Sequence, residues 1–132
     1  KRREIERIRR KVALRSRQRR ELMERLADRR QVNVIFTTGG TGFSQRDVTP
    51  EATEAVCDRM AMGIADAIRI HSLTITDRAM LSRAVSGIRK KTLIVNLPGS
   101  PKAVWEGLEY ILPSLGHGLG ILRGTEGECG GA

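Results

Sequence analysis

The sequence predicts an α/β fold in which a parallel sheet is covered by helices on both sides. Two short apolar runs, VNVIFTT over 32–38 and TLIVNL over 92–97, are rich in β-branched residues and typical of buried strands. Helical patterns precede, separate and follow these runs, and this alternation favours a parallel sheet. A glycine-containing loop follows each run. In such sheets ligands bind at the carboxyl ends of the strands, where both loops would lie.

The first thirty residues have a helical composition but an uneven apolar pattern. Ile5, Ile8 and Val12 repeat at helical spacing, and ELMERLADRR over 21–30 is amphipathic. The segment RSRQRR over 15–20 holds no apolar residue, and its like charges at neighbouring helical positions disfavour a helix. We therefore expect an amphipathic helix from residue 21. The preceding basic arm, 1–20, is helical by composition, but its pattern leaves its conformation open.

The first glycine loop leads into a predicted helix. Thr49 is a natural N-cap, Pro50 suits the first helical position, and Glu51 is favourable in the first turn. The apolar spacing carries this helix to about Met62, where Gly63 ends or bends it.

The rest of the chain is predicted to be helical on either side of the second strand. A helical piece over 64–71 and a short turn capped by Asp77 precede the strand, and GIRKK over 87–91 turns the chain into it. A closing helix follows, which Pro113 must break or kink because proline lacks an N–H. The end of the chain, 124–132, is rich in glycine and is expected to be disordered. The apolar stripe that predicts the closing helix is Val104, Leu108, Ile111, Leu115 and Leu119.

The net charge of +9 is concentrated at the start of the chain. Residues 1–30 hold 14 Lys and Arg against 5 Asp and Glu, whereas residues 31–132 hold 10 of each. No stacking aromatic residues alternate with the arginines, so nucleic-acid binding is disfavoured. No apolar run approaches the roughly 20 residues of a membrane span, and no apolar leader is visible. The two cysteines have no metal-ligand spacing, and together these features predict a cytoplasmic protein.

The loop TTGGTG over 37–42 is suited to phosphate binding. Glycines leave no side chains between main-chain N–H groups and a ligand, so these donors can converge on phosphate oxygens. No Gly-Lys-Ser/Thr follows, so the loop is not a Walker A motif, and a bare strand connection remains an alternative. Asp47 would repel a phosphate unless a divalent cation lay between them, which indicates Mg²⁺. The alternative is that Asp47 caps a turn or pairs with Arg46.

The loop NLPGSP over 96–101 begins a predicted helix, whose N-terminus would attract an anion. Ser100 can donate to a phosphate, although an N-cap followed by Pro101 explains it equally well. Lys102 adds a positive charge to the first turn. Asn96 closes an apolar strand with a polar amide, which usually faces a partner or a site.

A few other polar residues are weaker candidates. His71 and His117 have neither a paired acid nor metal-ligand spacing, and both are expected to be structural or exposed. Ser82 and Arg83 could approach the same edge of the sheet, but the spacing does not decide it.

Three segments together resemble the molybdenum-cofactor biosynthesis domain. They are TTGGTGFSQRDVTPEAT over 37–53, AMLSRAVSGIRKKTLIVNLPGSPKAV over 79–104 and ILPSLGHGL over 111–119. In character the sequence is most similar to bacterial molybdopterin adenylyltransferases and to the G domain of gephyrin. The resemblance covers residues 21–123, which it implies form one domain. It also implies a three-layer α/β/α sandwich with a mostly parallel sheet and assembly as a homotrimer.

The resemblance implies a nucleotidyltransferase of molybdenum cofactor biosynthesis. Such an enzyme transfers AMP from Mg-ATP to the terminal phosphate of molybdopterin and releases pyrophosphate, and a molybdate-insertion enzyme would receive its product. Asp47 would be the catalytic acid and the Mg²⁺ ligand. The residues that would bind nucleotide or substrate are Thr38, Gly39, Gly40, Thr41, Gly42, Ser82, Asn96, Pro98, Gly99, Ser100 and Lys102.

Residues 1–20 stand in place of this family's amino-terminal half and match none of it. Its members begin with a strand, a polar substrate-binding loop, a helix and another strand, and a second acidic residue that assists the metal lies in that half. The resemblance therefore implies that the amino-terminal strands are missing here or replaced by the basic helix. Two alternatives to a complete enzyme stay open: a member that binds molybdopterin without adenylylating it, and a trimeric scaffold.

Overall fold

The computed structural model describes residues 1–127 and contains a four-stranded mixed sheet. Its strands are β1 Val34–Thr38, β2 Arg59–Met60, β3 Ser86–Arg89 and β4 Thr92–Leu97. They lie in the order β1-β4-β3-β2. β1 and β4 are parallel, with Ile35 opposite Ile94, whereas the β4–β3 and β3–β2 pairs are antiparallel.

Helices cover both faces of this sheet. They are α1 Arg2–Asp28, α2 Thr49–Val56, α3 Met62–Leu73 and α4 Pro101–Arg123, with a short 3-10 helix at Asp77–Leu81. Because side chains alternate along β4, Leu93, Val95 and Leu97 pack in the core beneath α3 and α4. Ile94 points the other way, into a core with Met23 of α1 and the residues of α2. The α/β class and the three layers predicted from the sequence are confirmed.

The prediction of a mostly parallel sheet holds only for the β1–β4 pair. Strands β3 and β4 are joined by the two residues Lys90 and Lys91, and so short a connection can join only antiparallel strands. Lys90 adopts a positive φ of 53° in this turn. The sequence did not reveal β3 because it is short and begins with Ser86 and Gly87, which are weak strand formers.

Helix α2 is shorter than predicted. It ends at Val56, and Cys57 is extended, so the chain forms β2 where the sequence predicted helix up to Met62. The N–H of Asp58 donates to the carbonyl oxygen of Ile88 at 2.8 Å, and pairing with β3 replaces the last turns of the helix.

The 3-10 helix is capped by Thr76 and not by Asp77 as predicted. The hydroxyl oxygen of Thr76 accepts the N–H of Arg78 at 3.3 Å, whereas Asp77 is the first residue of the helix. A side chain at the N-cap accepts the N–H of the residue two positions further on. Thr76 stands two positions before Arg78, whereas Asp77 is its direct neighbour.

Helix α1 runs without a break from Arg2 through RSRQRR to Asp28. Met23 and Ala27 are buried against the body of the protein, whereas almost all of the preceding arm is exposed. Ion pairs at helical spacing, Arg10 with Glu6 and Arg17 with Glu21, offset part of the repulsion among the arginines. The basic arm and the first helix of the domain are therefore one element.

Helix α4 continues through Pro113 and ends at Gly124 in the left-handed conformation. The predicted break does not occur, because Pro113 lies on the exposed face, where water can reach the carbonyl that loses its N–H partner. The predicted disordered tail begins at this cap, and its residues 128–132 lie outside the described residues. Within residues 1–127, no helix is both long enough and apolar enough to cross a membrane.

Candidate functional site

The two glycine loops meet at one edge of the sheet. Because β1 and β4 are parallel neighbours, their carboxyl ends lie side by side. The N–H of Gly39 donates to the carbonyl oxygen of Leu97 at 3.1 Å. A Cβ atom at Gly99 would lie 3.4 Å from the Cα of Gly39. Main chain thus packs against main chain, and the loops form one continuous surface.

The first loop has a conformation that requires glycine. Gly39 and Gly40 adopt positive φ angles of 77° and 71°, which strain any residue with a Cβ. At Gly40 there is also no room, because a Cβ would lie 2.3 Å from the hydroxyl oxygen of Thr49. That hydroxyl donates to the carbonyl oxygen of Gly39 at 3.0 Å and accepts a hydrogen bond from Arg19 of α1. The sequence predicted Thr49 as the N-cap of α2, but the N-cap is Val48 and Thr49 is the first residue of the helix.

The surface that the loops form contains main-chain donors without protein acceptors. Within residues 1–127, the N–H groups of residues 40–43 donate to no carbonyl or side chain of the protein. The same holds there for the N–H groups of Gly99 and Ser100. Amide groups converging from a glycine loop and a helix N-terminus are a site for an anion such as phosphate.

Asp47 lies at the far end of the first loop and faces back toward it. Its Oδ2 accepts the N–H of Ser44 at 3.0 Å and lies 2.8 Å from the position of a Cβ at Gly42. Its Oδ1 makes no hydrogen bond within residues 1–127. A single carboxylate with one unengaged oxygen fits Mg²⁺, which proteins hold through one or two carboxylates together with substrate phosphates. Among the described residues, no group of three or more His, Cys, Asp or Glu could hold a metal.

A cavity of about 310 Å³ adjoins the two loops, between them and helix α3. It contains six of the predicted site residues, together with Arg69 and Arg78, whose positive charges suit an anionic ligand. Asp47 is outside the cavity lining. The six predicted residues are Thr41, Gly42, Ser82, Asn96, Pro98 and Gly99.

Asn96 is fully buried and its side chain is engaged on the opposite face of the sheet. Its amide nitrogen donates to the hydroxyl oxygens of Thr37 and Thr53, each at 2.9 Å. Its Oδ1 accepts the N–H of Val85 at 3.1 Å. The side chain therefore links β1, β4, α2 and the start of β3, and its contribution to the site is to hold the strand end in place.

Three other predicted residues lie near the site with different roles. Ser100 caps α4, since its Oγ accepts the N–H of Ala103 at 3.1 Å. Lys102 is 83% exposed and pairs with Glu106 at 3.8 Å, so it points along the helix surface. Thr38 is exposed at the end of β1 and does not line the cavity.

Two arginines hold the site together and were not among the main predictions. Arg69 of α3 donates to the carbonyl oxygens of Ser82 and Ala84 at 3.0 and 3.1 Å, which fixes the segment beside the cavity. Arg83 binds the first glycine loop through several hydrogen bonds. In the sequence each of them is an arginine in a mainly apolar stretch. Arginines occur in similar stretches elsewhere in the chain, so this pattern does not identify the two residues.

The two histidines are accounted for by contacts with neighbouring side chains. His71 stacks on Tyr110 with the ring centres 4.2 Å apart, which joins α3 to α4. His117 lies 2.6 Å from a carboxylate oxygen of Glu126. Burial raises the pKa of the Cys57 thiol to about 11, so this cysteine is unreactive at neutral pH.

Comparison with known proteins gives concordant matches. The model of the family described as "Probable molybdopterin binding domain" matches residues 14–117, so the match begins within the arm 1–20 and not at residue 21 as predicted. A molybdopterin adenylyltransferase from Helicobacter pylori is 43% identical over 110 residues, which are 80% of this chain and 62% of the relative. Gephyrin from Dictyostelium discoideum is 52% identical over 90 residues, or 68% of this chain and 12% of its own. The chain thus spans less than two thirds of the length of either relative.

Solved structures agree with this result. The molybdopterin biosynthesis enzyme MoaB from Thermus thermophilus superposes with a TM-score of 0.77 and 45% identity, covering 83% of this chain and 69% of that one. The molybdopterin biosynthesis Mog protein from Mycobacterium ulcerans gives a TM-score of 0.77 at 42% identity, and the match covers 80% of this chain and 69% of the Mog chain.

The fold is an α/β domain in which two glycine loops meet at one edge of the sheet. The family match extends over most of the chain and includes both loops. The chain belongs to the probable molybdopterin binding domain family, as the resemblance predicted.

Proposed function

We propose that this chain acts in molybdenum cofactor biosynthesis by transferring AMP from Mg-ATP to the terminal phosphate of molybdopterin. The observation that supports this most is that both glycine loops, which meet at Gly39 and Gly99, carry unengaged main-chain N–H groups, with the Asp47 carboxylate next to Gly42. The relatives named molybdopterin adenylyltransferase contribute the identity of the substrates. Cytoplasmic location and assembly as a homotrimer are parts of the same proposal.

The proposed step needs positive potential and alignment. A terminal phosphate oxygen of molybdopterin forms a bond to the α-phosphorus of ATP, and the bond from that phosphorus to the departing pyrophosphate breaks. Both reactants are anions, so the protein must offset their repulsion and hold them in line. No covalent intermediate with a side chain is required.

The residues of the site suit these demands. The N–H groups of residues 40–43 and the N-terminus of α4 would bind phosphate oxygens. Asp47 would hold Mg²⁺, which when bound neutralises phosphate charge. Arg78 lines the cavity and would attract the anionic groups of the second substrate, whereas the charge of Arg69 is paired with Asp66 at 3.4 Å.

A second candidate is a domain that binds molybdopterin without adenylylating it. Asp47 does not belong to a larger set of metal ligands, since among the described residues no group of three or more His, Cys, Asp or Glu could hold a metal. The chain also spans only 62% of the Helicobacter pylori relative. Strand β1 pairs with β4 alone, so one of its edges is open within residues 1–127.

Two measurements on the purified 132-residue chain test the proposal. Calorimetric titration with inorganic tripolyphosphate and with Mg-ATP should show saturable binding, and a coupled assay with ATP and molybdopterin should show pyrophosphate release. Asp47→Asn should slow release by about 10²–10³-fold, whereas Glu109→Gln, which removes an exposed carboxylate on α4, should not. Pterin binding without pyrophosphate release would favour the second candidate, and absence of all anion binding would contradict both.

A further inference from the structure

Arg83 binds the first glycine loop at three points. Its main-chain N–H donates to the carbonyl oxygen of Thr41 at 2.8 Å. In its side chain, Nε donates to the carbonyl oxygen of Gly42 at 2.8 Å and Nη2 to that of Asp47 at 2.7 Å. One residue thus joins the beginning and the end of the segment that carries the proposed metal ligand.

These bonds set the direction of the loop amides. In a trans peptide the carbonyl oxygen and the following N–H point in opposite directions, and no peptide of the described chain is cis. Because the carbonyl groups of Thr41 and Gly42 face Arg83, the N–H groups of Gly42 and Phe43 point away from it. Those two N–H groups are among the donors without a protein acceptor within residues 1–127.

The guanidinium group is itself fixed by helix α2. Its Nη1 donates to the carboxylate of Glu51, in the first turn of that helix. The positive charge of Arg83 is therefore largely balanced by Glu51, so charge alone would add little to anion binding. What Arg83 offers is a planar fork of donors that reaches three acceptors at once, which a lysine cannot reproduce.

We propose that Arg83 is a positioning residue, which aims the main-chain donors of the first glycine loop at a bound phosphate chain and fixes the backbone of Asp47 beside them. This inference rests on the anion-binding function proposed above. It is distinct from a role as a cation that attracts the ligand, and also from a role confined to the stability of the fold.

Two substitutions separate positioning from charge. Arg83→Lys keeps the charge but loses the fork, so positioning predicts weaker binding of tripolyphosphate, by about tenfold or more, and slower adenylyl transfer, by about 10²-fold. Glu51→Ala removes a negative charge near the site, so a charge role predicts tighter binding. Positioning predicts the opposite sign, since the guanidinium loses its anchor. Arg59→Lys is the matched control, because Arg59 is exposed on β2 and its side chain has no hydrogen bond or ion pair among residues 1–127.

The experiment combines calorimetric titration of each variant with tripolyphosphate and amide hydrogen exchange of the loop. The N–H groups of Ser44, Asp47 and Thr49 are bonded within the loop, so they should exchange faster in Arg83→Lys while the strands keep their protection. Weaker binding in both Arg83→Lys and Glu51→Ala supports the proposal. Unchanged binding in Arg83→Lys, or tighter binding in Glu51→Ala, overturns it.

Folding failure and failure of the proposed function are distinguishable from these results. If Arg83→Lys does not fold, the sign of the change in Glu51→Ala still decides between positioning and charge. If the unsubstituted chain binds no tripolyphosphate, the proposed function fails first. If that chain binds it and both variants bind it equally well, only the role of Arg83 fails.

Discussion

The two glycine loops lie at one edge of the sheet but are stabilised in different ways. The second loop depends on its immediate neighbours, since Ser100 caps the helix that Pro101 begins. The first loop depends on residues distant in sequence, the hydroxyl of Thr49 and the guanidinium of Arg83. A loop held by distant residues can be oriented by the whole fold, but it is also disturbed by changes elsewhere. We therefore expect the first loop to be the more sensitive of the two.

The largest expected difference between the loops is in catalysis. Asp47→Asn, in the first loop, should slow adenylyl transfer by about 10²–10³-fold, as for the loss of one preorganised electrostatic group. Lys102→Gln, beside the second loop, should change the rate by about fivefold at most, because Lys102 is exposed and paired with Glu106. Rates of pyrophosphate release from both variants measure this contrast. Near-normal turnover of Asp47→Asn would remove Asp47 from the mechanism.

Alanine substitutions compare the two backbones directly. Gly40→Ala should cost about 1–2 kcal/mol from the left-handed backbone alone, and more because Thr49 must move. Gly99→Ala should cost a few tenths of a kcal/mol, because its φ is not positive and a Cβ there would meet only the Cα of Gly39 at 3.4 Å. Urea denaturation of both variants gives the two free energies of unfolding. Equal losses of unfolding free energy would show that both loops require glycine to the same degree.

The contrast between the loops also separates what the sequence predicted from what it did not. Strands β1 and β4 and the capping serine of α4 were predictable, because burial on both faces and an N-cap leave local patterns. The contacts of Arg83 with the loop were not, because they join residues up to 42 positions apart through main-chain carbonyls, which every residue has. Such contacts leave no pattern of residue types in the sequence.

Asn96 is a second residue whose contacts could not be predicted from the sequence. A polar residue at the end of an apolar strand was expected to face a partner or a site, and Asn96 lies beside the cavity. Its side chain, however, is used by Thr37, Thr53 and the N–H of Val85. Local sequence cannot reveal these partners because α2 and the start of β3 are brought to Asn96 only by the fold. The donors and acceptors that surround a buried side-chain amide are determined by the tertiary structure.

A smaller effect is expected for the cap of the second loop. Ser100→Ala removes the oxygen that accepts the N–H of Ala103, and it should lower the free energy of unfolding by about 1 kcal/mol. Ser100→Asp, which can still cap and favours the helix dipole, should retain the stability but weaken phosphate binding through its charge. Chemical denaturation and tripolyphosphate titration of both variants separate the two properties. A loss of phosphate affinity in Ser100→Ala as large as that in Arg83→Lys would contradict the difference between the loops.

The smallest effect on the loops is expected from a change at the opposite end of the sheet, which should affect stability without reaching either loop. Arg89 donates to both carboxylate oxygens of Asp28, at 2.9 and 2.7 Å. This hydrogen bond, with help from Lys90, outweighs partial burial and lowers the pKa of Asp28 from 3.8 to about 2. Because the folded-state pKa is depressed, the stabilisation is complete above the unfolded value and is lost as pH falls from about 4 toward 2.

The unfolding temperature of Asp28→Asn should therefore lie below that of the unsubstituted chain near neutral pH and approach it in acid, whereas tripolyphosphate affinity at about pH 7 stays the same. A gap that stays constant from neutral pH into acid would show that the Asp28 charge does not contribute, and a weakened affinity would show that the loops depend on the whole sheet.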